Sequence, residues 1–251
     1  MTALSHLWLP PLAPPEPLDL SQGVLQLAGT QIKVSGRHQI PAGCPLVVVS
    51  NHRSPLDAPV LMAGLGRNIA FACHQYMANV PVLRDLIEPF GAFPLETPRH
   101  FFYQAYQRLR RCQTIGIFPE GAQPMVKVQP PRFVNSFQRG FAHLALRVPV
   151  SSLAVLPVAL VSDDEGFESP IPLRLLGWFD PSEPLFQQSG GHPLVLYRQV
   201  EVRIGAPLWI TPSDRQRYQG RQGGLQAQEL AEACWTVIYK LLHSEDDARS
   251  N

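Results

Sequence analysis

Two short polar clusters close apolar runs in this chain, and together they hold groups that can move a proton. The first, Asn51-His52-Arg53-Ser54-Pro55-Leu56-Asp57, follows Leu46-Val47-Val48-Val49. The second, Phe118-Pro119-Glu120-Gly121, closes Ile115-Gly116-Ile117. Both runs read as buried strands, and open α/β sheets place their chemistry at the carboxyl ends of strands. A histidine titrates near neutrality and can take the proton of an attacking hydroxyl. A carboxylate beside it can orient the imidazole and stabilise its protonated form. Five helical positions turn about 500°, which would leave His52 and Asp57 ~140° apart. They meet only if His52 lies in a turn and Asp57 has just entered a helix, and Ser54-Pro55 supplies that break. The same residues also read as a helix start without chemistry. In that version Ser54 is the N-cap, Pro55 the first helical residue and Asp57 the third, or Asp57 caps a helix running through Pro59.

In combination, N-H-x4-D and F-P-E-G resemble the glycerolipid acyltransferase family, whose best-known members acylate lysophosphatidic acid. The resemblance spans roughly residues 30 to 242. Pro81 with Gly91-Ala92-Phe93-Pro94 is similar to the family's second block, and Phe137-Gln138-Arg139-Gly140 to the segment after F-P-E-G. Val155-Leu156-Pro157-Val158-Ala159 is similar to its fourth block, and Val202 to Leu208 with the terminal helix to its usual ending. The resemblance implies an O-acyltransferase in which His52 is the general base and Asp57 its partner. Asn51, Glu120 and Gly121 would then contact the acceptor, Gly121 by letting the backbone approach closely. The acyl donor would be acyl-CoA or acyl-carrier protein, and the acceptor the hydroxyl of a lysophospholipid such as 1-acyl-glycerol-3-phosphate. No cofactor or metal is implied, because the thioester already carries the activation.

The chain departs from the family where a phosphate should be held. Leu95-Glu96-Thr97-Pro98-Arg99 stands where an arginine is usual, and Ala122-Gln123 replaces the threonine and arginine after F-P-E-G. Gln123 cannot form a charge-assisted bidentate pair. Arg99, Lys127, Arg132 or Arg139 would have to substitute, Arg139 foremost because it lies in the F-Q-R-G block. These departures leave room for an acceptor without a phosphomonoester, and for a catalytically silent lipid- or membrane-binding relative. Retention of both His52 and Asp57 argues against the silent form.

The elements that would position these groups alternate between strand and helix. Strands are expected at 46–50, 69–73, 91–95, 114–118, 153–161 and 197–204, with helices at 60–65, 81–87, 100–111, 137–147 and 225–242. Leu25 to Val34 reads as a first strand or a short helix. That alternation predicts one α/β domain with a central, largely parallel mixed sheet flanked by helices. Residues 1–20 read as an irregular proline-rich arm, 21–251 as the acyltransferase domain, and 163–193, acidic and Pro/Gly-rich, as a variable insertion.

Proline is abundant, at 26 of 251 residues, which favours short elements and rigid loops. Net charge is only +1, yet Thr97 to Ser151 holds eight cations and a single acid, Glu120, a local +7. Such a field suits phosphate-bearing substrates, an acidic carrier protein or an anionic membrane surface. Cys44, Cys73, Cys112 and Cys234 lack C-x-x-C spacing and read as reduced, mostly buried residues. No apolar run approaches the ~20 residues needed to span a bilayer, so the expectation is a cytoplasmic protein bound peripherally to membranes. A nucleophile elbow, a Walker loop and a G-x-G-x-x-G loop are all absent, and nothing points to nucleic acid.

Overall fold

The structure, a computed structural model, describes residues 15–121, 129–172 and 191–244. Its elements run α1 (Pro17–Leu27), β1 (Gln31–Ser35), β2 (Leu46–Ser50), α2 (Asp57–Leu65), β3 (Ile69–Cys73), α3 (Gln75–Asn79), α4 (Pro81–Ile87) and β4 (Phe93–Pro94). They continue with α5 (Pro98–Leu109), β5 (Thr114–Ile117), α6 (Gly140–Arg147), β6 (Leu153–Pro172), β7 (Gly191–Ile204), β8 (Leu208–Ile210), α7 (Pro212–Arg217) and α8 (Gly220–His243). The strands form one sheet in the order β1-β7-β6-β2-β5-β3-β4, with β8 alongside β6. Its pairings are parallel except β6 with β7 and β6 with β8. The fold is therefore the expected single α/β arrangement with a largely parallel mixed sheet.

The apolar runs are long because both faces of the sheet are covered. On β2, Val47 and Val49 point into a core shared with α5, α6 and α8, while Leu46 and Val48 point into one shared with α1 and α2. All five residues of β2 are buried. Two glycines allow close packing on the sheet. Gly64 lets α2 lie against Val202 of β7, and Gly116 leaves room on β5 for the ring of Phe71.

Several expected boundaries move. The N-terminal arm is not irregular up to residue 20: Pro17, with its fixed φ, opens α1. Leu25 to Val34 is neither one strand nor one helix, because α1 ends at Leu27 and β1 begins at Gln31. The ends of segment 163–193 are strand, with β6 continuing to Pro172 and β7 starting at Gly191 as an antiparallel ribbon. Residues 173–190 lie outside the described residues, as do 1–14 of the arm and Ala122, Gln123 and Lys127. Of the four cysteines only Cys234 is buried, and Cys112 is exposed.

Candidate active site

The site forms where β2 and β5 end. These strands are parallel neighbours in register, Val49 opposite Ile117, so the residues after each emerge side by side on one edge of the sheet. Parallel pairing thus brings His52 and Glu120 together across 68 positions of sequence: the His52 backbone N–H donates to Glu120 Oε1 at 2.9 Å.

The turn from β2 into α2 closes around one carboxylate. Asp57 is the first residue of α2 and is fully buried. Its Oδ2 accepts from His52 Nδ1 at 2.8 Å and from the backbone N–H groups of Arg53 at 2.6 Å and Ser54 at 2.9 Å. Its Oδ1 accepts from the Tyr197 hydroxyl at 2.6 Å. Four donors fill the acceptor capacity of a carboxylate, which is what a buried charge requires. The helix itself begins at Asp57, with Leu56 as N-cap and no side-chain cap bond, so Asp57 does not cap it; of the Ser54 arrangement, the reach of the Asp57 carboxylate back to the Ser54 N–H is present. Ser54 also closes the turn, accepting from the Leu56 N–H and donating to the Val195 carbonyl at 2.6 Å.

A carboxylate oxygen only accepts, so Nδ1 of His52 carries the proton and Nε2 is left with its lone pair. The imidazole is held face-on as well as edge-on. It stacks on Phe118 at 4.0 Å between centroids and 11° between planes, and Phe118 stacks on Phe71 at 5.1 Å. The His52 side chain is 17% exposed, so part of the ring reaches the surface of the site. A base with its inner nitrogen tied to a carboxylate and its outer nitrogen open is the arrangement that accepts a proton from a hydroxyl.

Glu120 is held by partners that the sequence does not assign. It is buried, with Oε2 accepting from the Asn135 backbone N–H at 2.7 Å and Asn135 Nδ2 at 2.8 Å. Burial pushes its carboxyl above the ordinary value, while the Asn135 and His52 donors pull the other way. With its oxygens facing His52 and Asn135, it braces the site. Asn51 is likewise turned inward. Its Nδ2 donates to the Leu160 carbonyl at 3.0 Å and its Oδ1 accepts the Leu160 N–H at 2.8 Å, stitching the end of β2 to β6. Both side chains are thus tied to neighbouring backbone, Glu120 to residues 52 and 135 and Asn51 to residue 160.

Gly121 has φ +76°, and a Cβ there would meet Gln138 Nε2 at 2.7 Å. Its close approach is thus to Gln138, whose backbone N–H also donates to the Pro119 carbonyl. That contact seats the F-Q-R-G segment against F-P-E-G, with Arg139 exposed at the start of α6. Arg99 is exposed on the first turn of α5 and makes no hydrogen bond to His52, Asp57 or Glu120 among the described residues. Several other cations of the +7 window have contacts of their own. Arg108 lies over Phe93, Arg147 over Phe102, and Arg132 binds Asp163.

Four contributors were not assigned from sequence. Arg53 is buried and grips Glu165 with both terminal nitrogens, at 2.8 and 2.7 Å, while also donating to the Gln129 carbonyl. Burial alone would pull its guanidinium down, but the Glu165 carboxylate outweighs it and leaves it above the ordinary value. Asn135 is pinned from behind by Trp235 of α8, whose indole N–H donates to its carbonyl at 3.0 Å. Tyr197 comes from β7 and Glu165 from β6. A buried arginine requires a counter-ion, but no spacing rule says which acid supplies it.

Among the described residues no group of His, Cys, Asp and Glu side chains is gathered as metal ligands, and no helix is long and apolar enough to cross a membrane. The sequence model of the family described as Acyltransferase matches residues 31–161. No curated protein matches the chain. A solved structure, the 1-acyl-sn-glycerophosphate (LPA) acyltransferase PlsC from Thermotoga maritima, matches with a TM-score of 0.58 at 17% identity. The match covers 94% of this chain and 79% of that one. At that identity it is the fold that is shared.

Proposed function

The chain belongs to the acyltransferase family, and from that premise we propose that it moves a fatty acyl group from acyl-CoA or acyl-carrier protein to a glycerolipid hydroxyl. The observation that carries this reading is the 2.8 Å contact between His52 Nδ1 and the buried Asp57 carboxylate, which leaves Nε2 as a base. Nε2 takes the acceptor hydroxyl's proton as its oxygen attacks the thioester carbonyl. The tetrahedral intermediate then collapses, the C–S bond breaks, and the leaving thiolate takes the proton from the His52 imidazolium. Asp57 supports the imidazolium while it lasts.

The acceptor we favour is a lysophospholipid, with 1-acyl-glycerol-3-phosphate as first candidate and phospholipid synthesis as the setting. Arg139 would bind its phosphate, with Arg99 second. A second reading has a specific support: among the described residues neither arginine side chain hydrogen-bonds to His52, Asp57 or Glu120, and the arginines usual in the second block and after F-P-E-G are absent. In that version the acceptor is another lysophospholipid, a glycolipid or a lipid-linked amine. One experiment separates the two. The purified protein is offered one labelled acyl-CoA against a panel of acceptors with and without a phosphomonoester. Lysophosphatidate as best acceptor, with Arg139→Gln lowering its kcat/KM by about tenfold or more, supports the first. A better acceptor without the phosphomonoester supports the second. Transfer to none of them sinks both.

We also propose peripheral attachment to anionic membranes through the exposed Arg99, Arg110, Arg111, Arg139 and Arg147. Binding to phosphatidylglycerol vesicles should weaken as salt rises, and should exceed binding to neutral vesicles. Co-sedimentation indifferent to both would count against it.

A further inference from the structure

The family match ends at residue 161, yet two side chains beyond it enter the catalytic turn. Glu165 and Tyr197 are cross-strand partners on the β6–β7 ribbon, so they leave one rung side by side. Register shifts flank Asp164, and a bulge of that kind re-aims the side chains that follow it. From this rung Glu165 binds Arg53 and Tyr197 binds Asp57, while Val195, two residues along β7, accepts the Ser54 hydroxyl. The ribbon therefore holds three residues of one turn.

Resting on the acyl-transfer reading, we propose that Tyr197 is a positioning residue whose phenol, by donating to Asp57 Oδ1, sets how tightly His52 holds its proton. Asp57 has one negative charge to divide among its donors. Each donor that draws on it leaves less for the imidazolium on Nδ1, so the Tyr197 hydroxyl keeps His52 a readily discharged base. Tyr197 can fill this role at any working pH. It is completely buried, and burial together with the Asp57 charge pushes its phenol far above the ordinary value. It stays protonated and always donates.

The other charged groups around His52 do not compete for this role. Glu120, after β5, meets its backbone N–H rather than its ring. Arg53 in the turn and Glu165 on β6 neutralise one another as a buried pair. The remaining ring face lies on Phe118. Among the described residues, only Asp57 from α2 bonds the ring with charge, and only Tyr197 from β7 adds a side-chain donor to that carboxylate besides His52 itself.

The test is a titration of His52 by NMR in the full chain without substrate, its signal assigned by loss in His52→Gln. Tyr197→Phe removes one hydroxyl and should raise the His52 titration by about half a pH unit or more. 3-Fluorotyrosine placed at position 197, a stronger acid and a stronger donor, should move it the other way. The acid limb of kcat/KM, measured with acyl-CoA and lysophosphatidate, should follow both shifts. If Tyr197→Phe does not fold, the fluorinated form, which deletes no atom from the core, decides alone. A His52 titration unmoved by either change overturns the proposal and leaves Tyr197 a packing residue. Absence of acyl transfer in the unaltered protein would defeat the functional reading instead, and the NMR result would still judge Tyr197.

Discussion

Glu120 holds His52 by its backbone, not by its ring: Oε1 accepts the His52 N–H at 2.9 Å while Oε2 takes two donors from Asn135. The carboxylate of the second motif is thus a brace for the base of the first. This also explains how a lone acid sits inside a cationic stretch. It is buried and answers backbone and amide donors.

A brace and a substrate ligand respond differently to substitution. Glu120→Gln places an amide N–H against donors on one of its two sides, so it should cost about 1–3 kcal/mol of stability and lower kcat/KM by about tenfold or more. Asn135→Ala should act in the same direction but less, because Glu120 keeps the His52 N–H and the backbone N–H at position 135. Thermal denaturation and steady-state rates on both variants check this. A raised KM with unchanged melting would return Glu120 to the acceptor.

His52 and Asp57 should act as one unit. His52→Ala should reduce turnover by about 10²–10⁴-fold with little loss of stability, since the ring is partly exposed. Asp57→Asn should lower both rate and stability, because it sets an amide N–H among four converging donors. Its rate effect should add little to that of His52→Ala in the double variant. Full activity in purified His52→Ala protein would remove the mechanism.

What sequence could tell about this protein followed from locality. β2, β3, β5 and α4 were legible because each is defined by its own residues: an apolar run, or Pro81 opening a short helix. The meeting of His52 with Asp57 was legible because a turn at Ser54-Pro55 is a local event. α1 was missed because prolines at the N-terminus suggest a loop, although Pro17 suits a first helical turn. α7 carried an unread signal, the Thr211 and Asp214 capping box. The inward turn of Asn51 and Glu120 was not legible, because their partners Leu160 and Asn135 are brought near by sheet order and loop path. Tyr197, 140 residues from Asp57, arrives through cross-strand register, which no spacing rule encodes.

A pH effect on stability should arise away from the catalytic turn. His143 of α6 pairs with the Tyr218 hydroxyl at 2.6 Å. Burial first, then the charges of Arg139 and Arg147, hold its imidazole below the ordinary value. The folded state therefore binds this proton less readily than the unfolded state does. The contribution is fully present above the unfolded histidine value and is lost as pH falls through the folded one. His143→Gln should flatten the dependence of melting temperature on pH in the mildly acidic range. An equally steep curve in that variant would assign the dependence to other groups.

The stack beneath the base gives the last prediction. Gly116 lies on β5 with the Phe71 ring where its side chain would be: a Cβ would stand 2.2 Å from Phe71 Cε1. Phe71 supports Phe118, and Phe118 supports His52. Gly116→Ala must therefore push the Phe71 ring aside within a packed sheet, costing about 1–3 kcal/mol, and the shift passes to the imidazole. Rate should fall although no group that touches substrate has changed. Phe118→Leu should lower the rate with a smaller loss of stability, because it removes the platform and leaves the strand intact. Combining Gly116→Ala with Phe71→Leu should recover most of the lost stability, since the obstructing ring is gone. It should recover less of the rate, since Phe118 then lacks its own support. Melting curves and kcat for the three variants separate these outcomes. A Gly116→Ala protein as stable and as active as the parent would mean that the stack neither resists displacement nor positions His52.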